Sequence, residues 1–179
     1  EQAILIGGDT KNLDAYLSFL KAREQVVKFN KGGNILARKF GLAAIEIDPM
    51  YPSGYRLLAA THLSDISLGV SNNPKLSIKK AFQLLEKVRL LDENSPGYYY
   101  LMGQLLLVTR QHDKAIKSGE RSVSLDPNNA AFLSGLATIL RYSGEPERAL
   151  SLQKKAMRLN PYPDSIAYTN LGFIYLSNE

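Results

Sequence analysis

Two histidines, ten tyrosines, a glycine-rich stretch and scattered lysines are the residues of this 179-residue chain that could do chemistry. His62 and His112 are the candidates for acid–base work or metal ligation. Either role needs further groups held beside the imidazole. No cysteine or carboxylate cluster joins the two, and the chain has no cysteine at all. That removes thiolate nucleophiles, zinc–thiolate sites and disulfides together. The pattern points to packing for His62 and a surface place for His112, with no catalytic, cofactor-binding or metal-binding residues. Ile6-Gly7-Gly8-Asp9-Thr10-Lys11 faintly resembles a phosphate loop, yet it lacks the Gly-Lys-Ser/Thr ending and a full strand before it. It reads as part of a flexible leader over residues 1–12. The lysines and arginines fall in loose groups: Lys75, Lys79 and Lys80; Lys114, Lys117 and Arg121; Lys154, Lys155 and Arg158. Against a net charge of +5, this spread reads as solvated helix faces, not as a nucleic-acid site.

Such residues need elements to position them. Hydrophobic residues make up 45% of the chain and its mean hydropathy is −0.17. No apolar run approaches the ~20 residues of a membrane span. Ala3-Ile4-Leu5-Ile6 is too short for a signal segment and has no basic leader. The absence of cysteine suits a reducing compartment, and the chain is read as cytoplasmic. It opens at Glu1, so a piece of a longer protein is expected.

Periodicity is the strongest signal. Ala81, Ala115 and Ala149 are spaced by 34 residues, as are Val88, Ser122 and Ala156, and Asp92, Asp126 and Asn160. Ala37, Ala44 and Asp48 precede their counterparts by 44, so one ten-residue insertion between Tyr55 and Ala81 explains every offset. A 34-residue helix–turn–helix period with aromatic, small, alanine and proline positions resembles the tetratricopeptide-repeat (TPR) family. The fit is best over Tyr99, Met102-Gly103, Leu106, Ala115 and Pro127. It continues through Leu133, Leu136-Ala137, Leu140, Ala149, Ala156 and Pro161, then Tyr168, Leu171-Gly172 and Tyr175. The expected fold is all-α: a TPR α-solenoid, a right-handed superhelix of antiparallel helix pairs with about four and a half repeats. The repeats are read as 13–51, 52–95 with the insertion, 96–129, 130–163 and a truncated 164–179. Helices are expected over Leu13 to Asn30, Asn34 to Ile47, Ser53 to Leu68, Pro74 to Leu91, Pro96 to Thr109, His112 to Leu125, Ala130 to Tyr142, Pro146 to Leu159 and Ser165 to Ser177. Asn73, Ser95 and Glu145 would precede helix-starting prolines. Small residues such as Gly103, Ala115, Ala137 and Ala149 would let paired helices approach, while Tyr99, Leu106 and Leu140 fill the gaps between repeats.

The resemblance implies a protein-binding function, with the first helix of each repeat lining a concave groove for a protein or peptide. Its groove positions fall on Arg56 and Ala60; Tyr100, Gln104 and Val108; Ser134, Thr138, Arg141 and Tyr142; Thr169 and Phe173. Arg56, Tyr100, Gln104, Thr138, Arg141 and Tyr142 are the candidate partner-binding residues. The Lys and Asn of the family's carboxylate clamp are replaced by Ala60, Gln104 and Thr138. The family puts a buried tyrosine where His62 stands. The insertion would lengthen a hairpin whose tip carries Ile66, Leu68, Val70, Leu76 and Ile78, either sealing the hairpin or docking on another subunit or an upstream domain. Asn12-Leu13-Asp14-Ala15-Tyr16, Thr61-His62-Leu63-Ser64-Asp65, Leu68-Gly69-Val70-Ser71, Gly119-Glu120-Arg121 and Arg158-Leu159-Asn160-Pro161-Tyr162-Pro163 go further. In this order they resemble the TPR region that follows the catalytic domain of bacterial class III adenylate/guanylate cyclases. That implies a regulatory arm in signal transduction, without catalytic residues of its own. The alternative is a stand-alone TPR adaptor or assembly scaffold.

Overall fold

Proline and asparagine set where the helices begin in the computed structural model, which describes residues 9–160 and 165–177. Asn12 caps α1 (Leu13–Val26) and Asn30 caps α2 (Lys31–Ile47). α3 (Pro52–Ser67), α4 (Pro74–Leu91), α5 (Pro96–Val108) and α8 (Pro146–Leu159) each open on a proline. The missing N–H there has no intrahelical acceptor to lose. Asn73 caps α4 and Asn129 caps α7 (Ala130–Tyr142). Ser95 and Glu145 hold the cap positions of α5 and α8 but make no side-chain cap bond. With α6 (His112–Leu125) and α9 (Ser165–Leu176), every element among the described residues is a helix. None of them is long and apolar enough to cross a membrane.

The chain divides into two compact units, Glu1–Glu93 and Asn94–Glu179. In the first, α1 pairs with α2 and α3 with α4, while α3 also packs on α1 and α2. In the second, α5 pairs with α6 and α7 with α8, α9 lies on α8, and α7 touches both α5 and α9. Within each unit, first helices of successive repeats are therefore neighbours, the stacking expected of a TPR solenoid. Small residues permit the closeness. A Cβ at Gly103 would stand 3.0 Å from Ile139 Cδ1, and one at Gly119 would stand 2.8 Å from Leu136 Cδ1. Ala115, Ala137 and Ala149 are fully buried, as is Leu140, with Leu106 nearly so.

Three expectations need correction. α1 stops at Val26, not Asn30, because Phe29 turns into the left-handed region (φ 43°) and Asn30 becomes the cap of α2. Gly33 makes this turn possible, since a Cβ there would lie 2.6 Å from the Gln25 carbonyl oxygen. Tyr98, not Tyr99, is the buried tyrosine of its run. Tyr99 is half-buried, edge-on to Tyr98 at 5.0 Å and below the Arg121 guanidinium at 5.8 Å. Within the stretch read as a flexible leader, residues 9–12 are anchored. Asp9 bonds the N-terminus of α3, the hydroxyl of Thr10 donates to Asp48 at 2.5 Å, and Asn12 caps α1. Residues 1–8, including Ile6-Gly7-Gly8, and residues 161–164, including Pro161, lie outside the described residues.

Candidate functional site

Five of the six candidate groove residues lie in the second unit, on α5 and α7; Arg56 lies in the first, on α3. The second-unit face is built where α5, α7 and α9 meet side by side. Gly135 has no side chain, so the Tyr100 ring of α5 lies directly against α7 there. The same ring tilts against Phe132 at 5.3 Å. Gln104 then donates its amide to the Gly135 carbonyl at 3.1 Å. The Thr138 hydroxyl turns back onto its own helix, donating to the Ser134 carbonyl at 3.0 Å.

Gln153 of α8 ties the next junction together. Its side chain is fully buried, and its oxygen accepts from Ser134 Oγ and from the Asn170 amide, each at 2.9 Å. Its own amide donates to the Ala167 carbonyl at 3.2 Å. Sequence reasoning missed it, because a glutamine among the lysines of a second helix looks like surface. Its place beside the Ala149 and Ala156 stripe was the available signal.

Arg141 stands at the last turn of α7. Its guanidinium carbon lies 3.9 Å from the centroid of the Tyr142 ring and 5.3 Å from that of Phe173 on α9. Arg141 Nε is buried and has no hydrogen-bond partner among the described residues. The aromatic faces attract the cation through their quadrupoles, but they satisfy none of its N–H donors. Tyr142 and Phe173 remain 59% and 50% exposed, and Val108 at the end of α5 is 39% exposed.

In the first unit, Arg56 donates to Ser53 Oγ at 2.8 Å, and Ser53 Oγ donates to Asp9 at 2.6 Å. Asp9 also accepts from the Ser53 backbone N–H at 3.1 Å. It thus places a carboxylate at the positive end of α3, where the nominal cap residue Tyr51 makes no side-chain bond. Tyr51 is fully buried, and burial together with the nearby Asp9 carboxylate pushes its phenol up. Beside it, a solvent-open cleft of about 490 Å³ is lined by residues 9–12, Ile47, Asp48 and Met50. Its two carboxylates are already engaged with Ser53 and Thr10.

His62 is buried, as read, with Nδ1 unpartnered among the described residues. Burial first, then the cations Arg38 and Lys80, hold its pKa down at about 4, so it is neutral at pH 7. His112 opens α6, half-buried, with Nδ1 at 3.1 Å from Ser143 Oγ in the following hairpin. Among the described residues no three His, Asp or Glu side chains gather as metal ligands would.

The inserted hairpin closes on itself. α3 ends at Ser67, Gly69 takes the left-handed conformation (φ 66°), and the N–H groups of Val70 and Ser71 donate to the Asp65 carbonyl. Ile66, Leu68, Val70 and Ile78 are half-buried, and Leu76 is 45% exposed.

Comparison with known proteins agrees with this architecture. Residues 96–129 match the family described as tetratricopeptide repeat. A TPR repeat-containing protein of Methanocaldococcus jannaschii is 27% identical over 120 residues, covering 65% of this chain. The match takes in 20% of that protein, so the chain spans about a fifth of the length of the curated relative it matches. Among solved structures, a thermophilic TPR protein of Thermus thermophilus superposes with a TM-score of 0.75 at 19% identity, covering 92% of this chain and 82% of that one. YrrB, described as a TPR protein with an unusual peptide-binding site, superposes with a TM-score of 0.51 at 20% identity, covering 92% and 78%. These likenesses support the TPR family and show its fold.

Proposed function

From a TPR fold as the premise, we propose that the chain is a protein–protein interaction module whose partner lies along α5, α7 and α9. The observation that carries this is a segregation of charge. α5, α7 and α9 hold a single charged residue, Arg141, whereas α6 and α8 hold five each. Burial of α5 and α7 inside the unit accounts for part of this, but the residues that the three helices expose are uncharged as well. They include Val108, Tyr142 and Phe173, and interface cores favour aromatics, arginine and few other charges. The description of YrrB shows that a protein of this fold takes a peptide.

The narrower reading is the regulatory arm of a bacterial adenylate/guanylate cyclase or a similar signalling protein. It rests on the sequence phrases and the ten-residue insertion described above, and a stand-alone adaptor with no linked enzyme is its rival. The reading frame upstream of Glu1 separates the two: a cyclase domain there supports the first, and its absence removes it.

The interaction reading is tested by placing a photo-crosslinking residue at Val108 or Phe173, and for comparison at Lys117 or Arg158 on the second helices. Crosslinks to one defined protein from the first pair only are expected. Crosslinks from the second pair only would overturn it.

A further inference from the structure

The donors along the second-unit face are already committed. Gln104, Ser134, Thr138 and Asn170 all bond to backbone or side-chain groups of this chain. Each spends a donor inside the chain, so an extended peptide, which brings a row of unpaired N–H and C=O groups, would find few free donors among them, and leaving such groups dry is costly. A helix brings none along its middle turns, where its backbone is satisfied internally. The face therefore suits a helix that presents side chains alone.

One group on the face still needs a partner. Arg141 sits between two rings with its Nε dehydrated and unbonded among the described residues. The buried Nε is beyond an incoming group's reach, so a carboxylate would meet the outer guanidinium nitrogens, supplying acceptors and opposite charge to a partly desolvated cation. No other charged residue of α5, α7 or α9 competes for that carboxylate or repels it. The rings of Tyr142 and Phe173 would screen the pair from water, and Val108 at the end of α5 is an exposed apolar side chain.

We propose that this face receives an amphipathic helix of a partner protein, whose apolar stripe is interrupted by one Asp or Glu gripped by Arg141. The proposal rests on the interaction reading above and names the chemistry of its ligand. It differs from capture of a chain terminus, since the acid sits within a helix and the surrounding contacts are apolar.

The test uses a display library of 16-residue, alanine-based helical peptides with the stripe positions i, i+3, i+4 and i+7 randomised. It is selected against the full 179-residue chain. Wild type should enrich apolar stripes carrying one acid at a fixed position. Changing that Glu to Gln should weaken binding about tenfold, the effect of losing one charge-assisted pair. Arg141→Glu should select Lys or Arg at the same position, a reversal that a merely structural arginine would not produce. Binders that need Phe173 and Tyr142 but carry no acid overturn the carboxylate while leaving the interaction reading intact. Binders indifferent to Phe173→Ala and Tyr142→Ala overturn both. A selection that enriches no helical peptide overturns the helix proposal.

Discussion

The two units use their charges in opposite ways. In the first, Arg38 of α2 reaches across to α3, donating to Asp65 at 2.7 Å and to the Thr61 carbonyl at 3.2 Å. Asn34, almost wholly buried, donates to the same two groups at 2.6 and 2.8 Å. Arg56 is tied through Ser53 to Asp9. Each of these cations fastens one segment to another. In the second unit, the charges of the outer helices meet each other, as Arg148 meets Glu120 at 2.8 Å, while Arg141 stacks on aromatic faces. The same repeat can thus use a charge to hold helices together or stack it on aromatic faces.

The largest expected effect breaks the first arrangement. Asp65→Ala should cost about 2–4 kcal/mol, because it strands a partly buried guanidinium and a buried amide at once. The urea midpoint reports it, and a change below about 0.5 kcal/mol would mean that the network is ornamental. Acid should come next. The folded His62 pKa of about 4 lies below its unfolded value of 6.5, so the unfolded chain takes up the proton first. That share of stability is complete above about pH 6.5 and is lost as pH falls towards 4, up to about 2–3 kcal/mol. His62→Gln should flatten the decline over this window; an unchanged pH profile would place the sensitivity elsewhere. Asp9→Ala should cost about 1 kcal/mol by uncapping α3, and Asp9→Asn less, since it keeps an acceptor. Equal losses for the two would deny the cap. Smallest of all, Arg141→Gln should leave the midpoint within about 0.5 kcal/mol. A loss as large as that of Asp65→Ala would make Arg141 one more fastening and erase the contrast between the units.

The helices were legible because their signals are local. Proline at a first turn, asparagine before it and alanine at the 34-residue step each act within a few residues, and the structure follows them closely from Pro52 to Leu159. α1 is shorter than expected because the chain turns at Phe29, and Gly33, a contact point inside α2, lets that turn close. The Tyr98–Tyr99 shift arose because three successive tyrosines leave a register that family spacing alone resolves to within one residue. The placement of Tyr100 and Gln104 on α5, and of Thr138 and Arg141 on α7, was readable from that spacing. What they touch was not, since the capture of Gln104 by Gly135 and of Arg141 by Phe173 depends on how neighbouring repeats stack. Gln153 and the Asp9 cap were hidden for the same reason: their partners lie 14 to 44 residues away along the chain.

That last separation bears on folding order. α7 is capped by Asn129, next to its own first turn, so it can nucleate as soon as its sequence is available. The first turn of α3 waits for a carboxylate 44 residues upstream, and closing so long a loop carries an entropic cost that α7 never meets. Helix nucleation is unfavourable, so the cap of α3 forms only once Asp9 has been drawn back to Ser53. Any event that loosens Asp9 would fray α3 from that end first.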